Sequence, residues 1–274
     1  MKRSPRAPWL SWAVTALLAA LFLFLVFRSD WLERLASPLL ATKGVLFQRT
    51  PLYVLAAQHL VLAGTTSLLS LFAAMGLGIL ATFPFAVELK ALLIRLSSLA
   101  ETFPSVAILA LSVPFIGYGF KPTFLALFLY GILPVLRNTI VGLESVPGEV
   151  VEAARGMGMD RWQLLRRVEL PLAFPVILAG IRVSVIINIS AATMGATVGA
   201  GGFGVPIVSG LRSLDPVLIL RGAVPVALLA VVADSAFRSL ERFRAARRIR
   251  KAAGRFPAHP ASRGAIAPAK RYGA

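Results

Sequence analysis

The sequence contains no cysteine among its 274 residues. Disulfides, thiolate metal sites and a cysteine nucleophile are thereby excluded. Histidine is nearly as scarce: His59 and His259 stand far apart, with no H-E-x-x-H zinc pattern. Charge is sparse as well. Asp, Glu, Lys and Arg make up 15% of the chain, against roughly 25% in an ordinary soluble domain. Hydrophobic residues make up 57%, and the mean hydropathy is +0.78. These values point to an integral membrane protein. No G-x-x-x-x-G-K-[ST] phosphate loop is present, so no nucleotide site of that type belongs to this chain. A G-x-G-x-x-G does occur, at Gly199, Gly201 and Gly204. It follows an apolar run instead of a strand, Pro206 comes two residues later, and the nearest acid is Asp215. A dinucleotide loop needs a strand before it and an acid about 20 residues on. The run therefore reads as a glycine-rich bend.

Six stretches are apolar enough to cross a bilayer, which takes about 20 residues each. They are Trp9–Phe27, Leu60–Val87, Thr102–Phe120, Pro122–Leu143, Leu172–Val198 and Pro216–Phe237. The first is preceded by Lys2, Arg3 and Arg6 and is longer than a signal-peptide core, so it reads as a retained span. Three parts follow: residues 1–50, the first helix and an external loop; 51–237, a five-helix core; and 238–274, a basic tail. Six spans put both termini on one side. The tail carries eleven Lys/Arg and one acid, Glu241, which assigns the termini to the cytoplasm. It also supplies much of the formal net charge of +17, so the charge reads as a solvated tail, not as a nucleic-acid surface.

The longest polar interval inside the core is 144–171, ESVPGEVVEAARGMGMDRWQLLRRVELP. Its signals predict two short helices. Pro147 suits a first turn. Glu149 and Glu152 lie early and Arg155 late, as the helix dipole favours. Val150, Ala154 and Met157 share a face. Gly156 and Gly158 can end the helix with positive φ. Asp160 and Gln163 form the spacing of a capping box for the second helix, and Pro171 opens the next span.

This interval resembles the cytoplasmic motif of permease subunits of bacterial ATP-binding-cassette (ABC) importers: E-A-A, three residues, G, nine residues, I-x-L-P. Here it is Glu152-Ala153-Ala154, then Gly158, then Val168-x-Leu170-Pro171, with Val in place of Ile. The resemblance implies the all-α type I importer permease fold: six transmembrane helices and a cytoplasmic coupling helix, here about 147–158, docked on a separate ATPase subunit. It further implies ATP used by that partner and no cofactor on this chain. It also implies a second permease copy or homologue, an external substrate-binding protein and a place in the bacterial cytoplasmic membrane.

The likeness runs from about Gln58 to Leu240. The segments FLALFLYGILPVLRNT (124–139), RVELPLAFPVILAGIR (167–182) and GAGGFGVPI (199–207) are similar to the branch that imports glycine betaine, carnitine and choline. Permeases of the same fold for methionine or another small solute remain the alternative. A membrane scaffold and an intramembrane enzyme are the remote readings; Asp234 is the only Asp in a span, and His59 has no evident partner. Candidate pathway residues are Asn188, Thr193, Thr197, Glu101 and Asn138, because polar groups inside a bilayer face protein or water. Helix packing competes as their role, helped by Gly195 and Gly199 in G-x-x-x-G spacing. Arg182 reads as a snorkelling side chain or an inter-helix partner, not a ligand. The core holds no clear aromatic cage, so tight recognition of a quaternary amine falls to the binding protein.

Overall fold

The computed structural model describes residues 8–28, 50–100 and 102–255. Among these every regular element is helical. In chain order they are α1 (Pro8–Phe27), α2 (Leu52–Ala81), α3 (Val87–Ala100), α4 (Ser105–Ile116), α5 (Phe120–Glu144), α6 (Gly148–Gly156), α7 (Arg161–Leu164), α8 (Leu170–Ala191), α9 (Gly204–Ser213) and α10 (Pro216–Arg255). A bilayer core leaves no water for backbone groups, and a helix satisfies its own.

At the centre, α5 packs against both α2 and α8. Lipid tails are as apolar as the side chains, so close packing between helices supplies the adhesion. Glycine provides it here. A Cβ on Gly180 of α8 would lie 2.5 Å from Asn138 Cβ on α5, and one on Gly131 would lie 2.7 Å from Ser70 Oγ on α2. The expected G-x-x-x-G pair does not act this way. Gly195 does press on Thr123, but Gly199 faces open space at φ +84. The chain has left the α-helix there: Ala192–Val198 is a 3-10 segment, so the two glycines share no helical stripe.

Around this centre α1 lies on α10, and α9 folds back on α10. Thr15 of α1 sits beside Ser239 of α10, their hydroxyls 3.1 Å apart. Two further ties close the bundle. Arg182 of α8 donates from Nε to Asp234 Oδ1 of α10 at 2.5 Å. Lys90 of α3 meets Glu144 of α5.

Five helices are long and apolar enough to span among the described residues, six if one bent pair counts as a single span. The expected third span, Thr102–Phe120, differs. Its helical part is α4, 12 residues and about 18 Å long. It joins α3 at a bend of 97°. Pro104 lacks the N–H to continue a helix, and Gly117 and Gly119 end α4 at φ 88 and 99. The second span also starts earlier than its charges suggest: α2 begins at Leu52 and carries Gln58 and His59 inside it.

The fifth span is extended at its N-terminal end too. A continuous helical rod runs from Arg161 to Val198. The short helix expected after Asp160 is therefore not separate from it. Between α7 and α8 lies a π turn, Leu165–Glu169. Pro171, which has no N–H for the ladder, comes two residues after it, and the wider turn absorbs the missing bond without a break.

Candidate functional site

The polar interval folds into a short helix, α6, followed by a tight turn. Pro147 is the N-cap of α6, one position before the helical turn it was expected to open. Glu149 lies in the first turn and Arg155 in the last. Gly158 follows at φ +80, and its N–H donates to the Arg155 carbonyl at 2.9 Å. A side chain there would be strained. Gly156 stays helical. Asp160 accepts from the Trp162 and Gln163 amides, and Gln163 accepts from the Asp160 amide, which completes the capping box.

The faces of α6 are divided. Ala154 is buried at 2% exposure, while Glu152 and Ala153 face outward. Val150 and Met157, expected on one apolar face with Ala154, are exposed at 39% and 71%, and Trp162 nearby at 57%. A surface of two small or acidic residues flanked by bare apolar ones is suited to a partner that covers it.

Behind α6 the motif is anchored. Leu164 and Leu165 are fully buried, and Leu165 packs with Leu143, Ala173 and Ile177. Val168 and Leu170 are half-buried and Pro171 is exposed. Glu169, which the motif leaves unspecified, is buried and accepts from Arg161 Nη1 at 2.6 Å on both oxygens. The Arg161 guanidinium also lies 5.1 Å from the Phe83 ring centre, just past the end of α2. Sequence reasoning missed Glu169 and Phe83. A carboxylate eight residues from an arginine carries no local signal until the π turn fixes the phase.

The four candidate pathway residues that the structure describes share no hydrogen bond with one another. Asn188 is fully buried where α2, α5 and α8 meet. Its Nδ2 donates to Ser67 Oγ at 3.1 Å, and its Oδ1 has no hydrogen-bond partner. Two more hydroxyls bridge the same junction: Ser184 to the Gly131 carbonyl at 2.7 Å and Ser70 to the Phe128 carbonyl at 2.9 Å. Asn138 lies at the α5–α8 crossing, where its Nδ2 donates to the Pro134 carbonyl at 2.8 Å. Thr193 and Thr197 turn their hydroxyls onto the Ser190 and Met194 carbonyls in the 3-10 segment. Glu101 lies outside the described residues.

The glycine bend is a packed joint. Gly199, Gly201 and Gly202 hold φ of 84, 82 and 78. The Gly202 amide is taken by Gln58 Oε1 at 3.0 Å. Phe203 is fully buried, edge-on to Phe22 and beside His59. His59 has a partner after all, the Ile189 carbonyl, at 2.9 Å from Nε2. No local sequence signal links positions so far apart in the chain.

Comparison with known proteins agrees with this geometry. The family described as "Binding-protein-dependent transport system inner membrane component" matches residues 74–245. Among curated relatives, the carnitine transport permease protein OpuCB of Listeria monocytogenes is 43% identical over 67% of this chain and 84% of its own length. The glycine betaine/carnitine/choline permease OpuCB of Bacillus subtilis is 41% identical over 61% of this chain and 79% of its own. The osmoprotectant import permease OsmY of Salmonella typhimurium is 40% identical over 69% and 80%. Among solved structures, the inward-facing MetNI methionine ABC transporter aligns with a TM-score of 0.60 and 22% identity, over 68% of this chain and 92% of that one. That likeness carries the fold, which is the type I ABC importer permease fold. The chain belongs to the family of inner-membrane components of binding-protein-dependent transport systems, and is a transport subunit of an ABC importer.

Proposed function

We propose that this permease imports small quaternary-amine osmoprotectants, of the glycine betaine, carnitine and choline class. Relatives at 40–43% identity are named for carnitine, for glycine betaine/carnitine/choline and for osmoprotectants, and the segments at 124–139, 167–182 and 199–207 resemble that branch.

The outward face of α6, with Glu152 and Ala153 exposed and Ala154 anchored, supports a docking site for an ATPase subunit. This observation carries the reading. Glu152 offers a carboxylate to a donor in the ATPase groove, Ala153 allows close approach, and Gly158 gives the sharp exit. Val168, Leu170 and Pro171 join that helix to α8, so a push on α6 would tilt a spanning rod. The energy comes from ATP held by the partner; this chain supplies the lever. The basic end of α10 supports cytoplasmic termini, with α6 on the same side. A second permease copy or homologue completes the pathway, and an external binding protein delivers the solute.

Within the pathway we assign the central polar contact to Asn188, whose free amide oxygen would meet solute when α2, α5 and α8 part. Thr193, Thr197, Asn138 and Glu101 are secondary candidates along the same route. The deciding experiment is ATP-dependent uptake by the reconstituted complex with its binding protein. Carnitine, glycine betaine or choline should accumulate and methionine should not. Accumulation of methionine alone would overturn the substrate assignment and leave the permease fold untouched.

A further inference from the structure

The end of α10 is strongly basic. From Arg238 to Arg255 the helix carries eight Lys/Arg and one acid, Glu241. Arg238 is held by Asp234 at 2.8 Å. Among the described residues no carboxylate pairs with Arg242, Arg244 or Arg247. Beside this stretch a groove of about 380 Å³ opens between α8 and α10. Phe174, Pro175, Leu178, Glu241, Arg244 and Ala245 line it.

Its depth follows from helix length. The apolar run of α10, Pro216–Phe237, is about 33 Å long at 1.5 Å per residue. That matches a hydrocarbon core of about 30 Å. Residues 241–245 then fall about 6–12 Å beyond it, in the headgroup layer.

We propose that this groove holds an anionic phospholipid of the leaflet from which α10 emerges. Its phosphodiester sits on Arg244, and the start of an acyl chain covers Phe174, Pro175 and Leu178. The guanidinium carbon of Arg244 lies 3.8 Å from the centre of the Phe174 ring. Such stacking uses the face of the guanidinium. Its N–H donors lie in its plane and remain for a phosphate oxygen. An apolar wall beside that donor set suits a lipid and offers nothing to free phosphate. Glu241 on the other wall disfavours a multiply charged anion, and a phosphodiester carries a single charge. The neighbouring arginines attract anionic lipid to the surface around the groove.

The test is native mass spectrometry of the full chain, released from detergent after titration with phosphatidylglycerol or phosphatidylcholine. The wild type should keep one phosphatidylglycerol in preference to phosphatidylcholine. Arg244→Ala should weaken that binding roughly tenfold, the worth of a charged hydrogen bond. Leu178→Trp should do the same by filling the groove from α8 while leaving every charge in place, and it carries the test if Arg244→Ala does not fold. Arg212→Ala, near the far end of α9, should change nothing, and excess inorganic phosphate should not displace the lipid. Wild-type retention of phosphatidylglycerol by both groove variants, equal retention of phosphatidylcholine, or displacement by phosphate would each overturn the site.

Discussion

Gly204 has no room for a side chain. A Cβ there would overlap the Thr193 carbonyl oxygen, whereas one on Gly148 meets nothing within 4 Å. Gly204→Ala should therefore lower the thermal stability of the solubilised chain by about 1–3 kcal/mol, the usual cost of overpacking. Gly148→Ala should leave it unchanged. Equal melting temperatures for the two variants would remove the packed-joint account of the bend. Asn188 allows a different separation. Its one bond to Ser67 is worth about 0.6 kcal/mol on the average for such ties in membranes. If its amide serves the solute, Asn188→Ala should cut uptake at least fivefold (the expected size of the effect) while costing little stability. A parallel fall of both would make it a packing residue. The sequence identified Asn188 as an expensive polar group but could not supply Ser67 or Gly131, which lie on other helices and meet it only after folding.

At the scale of elements, the π turn is the informative feature. Glu169 and Arg161 clamp across it and tie the start of α7 to the base of the long α8. On the coupling role proposed for α6, that brace would carry force applied at Glu152 to the bundle. Glu169→Gln should let the assembled complex keep hydrolysing ATP while uptake per ATP falls several-fold, since a charge-assisted bond of about 1.5–3 kcal/mol is weakened. Measuring hydrolysis and uptake on one preparation checks this, and an unchanged ratio would refute the brace. Caps and turns in this region were legible because they are local: Asp160 with Gln163, and Gly158. The merging of two expected helices into one rod was not legible. Pro171 signals a boundary, and only a register shift at Leu165–Glu169 cancels it. The bend between α3 and α4 went the other way. Thr102–Phe120 is apolar enough to span, yet Pro104 stands at the start of α4, which runs through Pro114, and Gly117 and Gly119 follow its end.

For the whole molecule, composition gave the class and the motif gave the family. Both survive because they depend on bulk hydropathy and on a spacing read within 20 residues. The arrangement of helices depended on glycines at crossings, Gly131 and Gly180 above all, which no periodicity isolates. The central claim is that α6 is the contact through which an ATPase drives transport. The absence of cysteine makes that contact directly measurable, because any introduced thiol is the only one in the chain. Ala153→Cys on the outward face of α6, and Ser213→Cys at the end of α9 as control, can each be coupled to nearby lysines with a thiol-to-amine cross-linker in the assembled complex. The account predicts a permease–ATPase product from Ala153→Cys and none from Ser213→Cys. An intact, hydrolysing complex that gives no product at position 153, or an equal product at position 213, would contradict it.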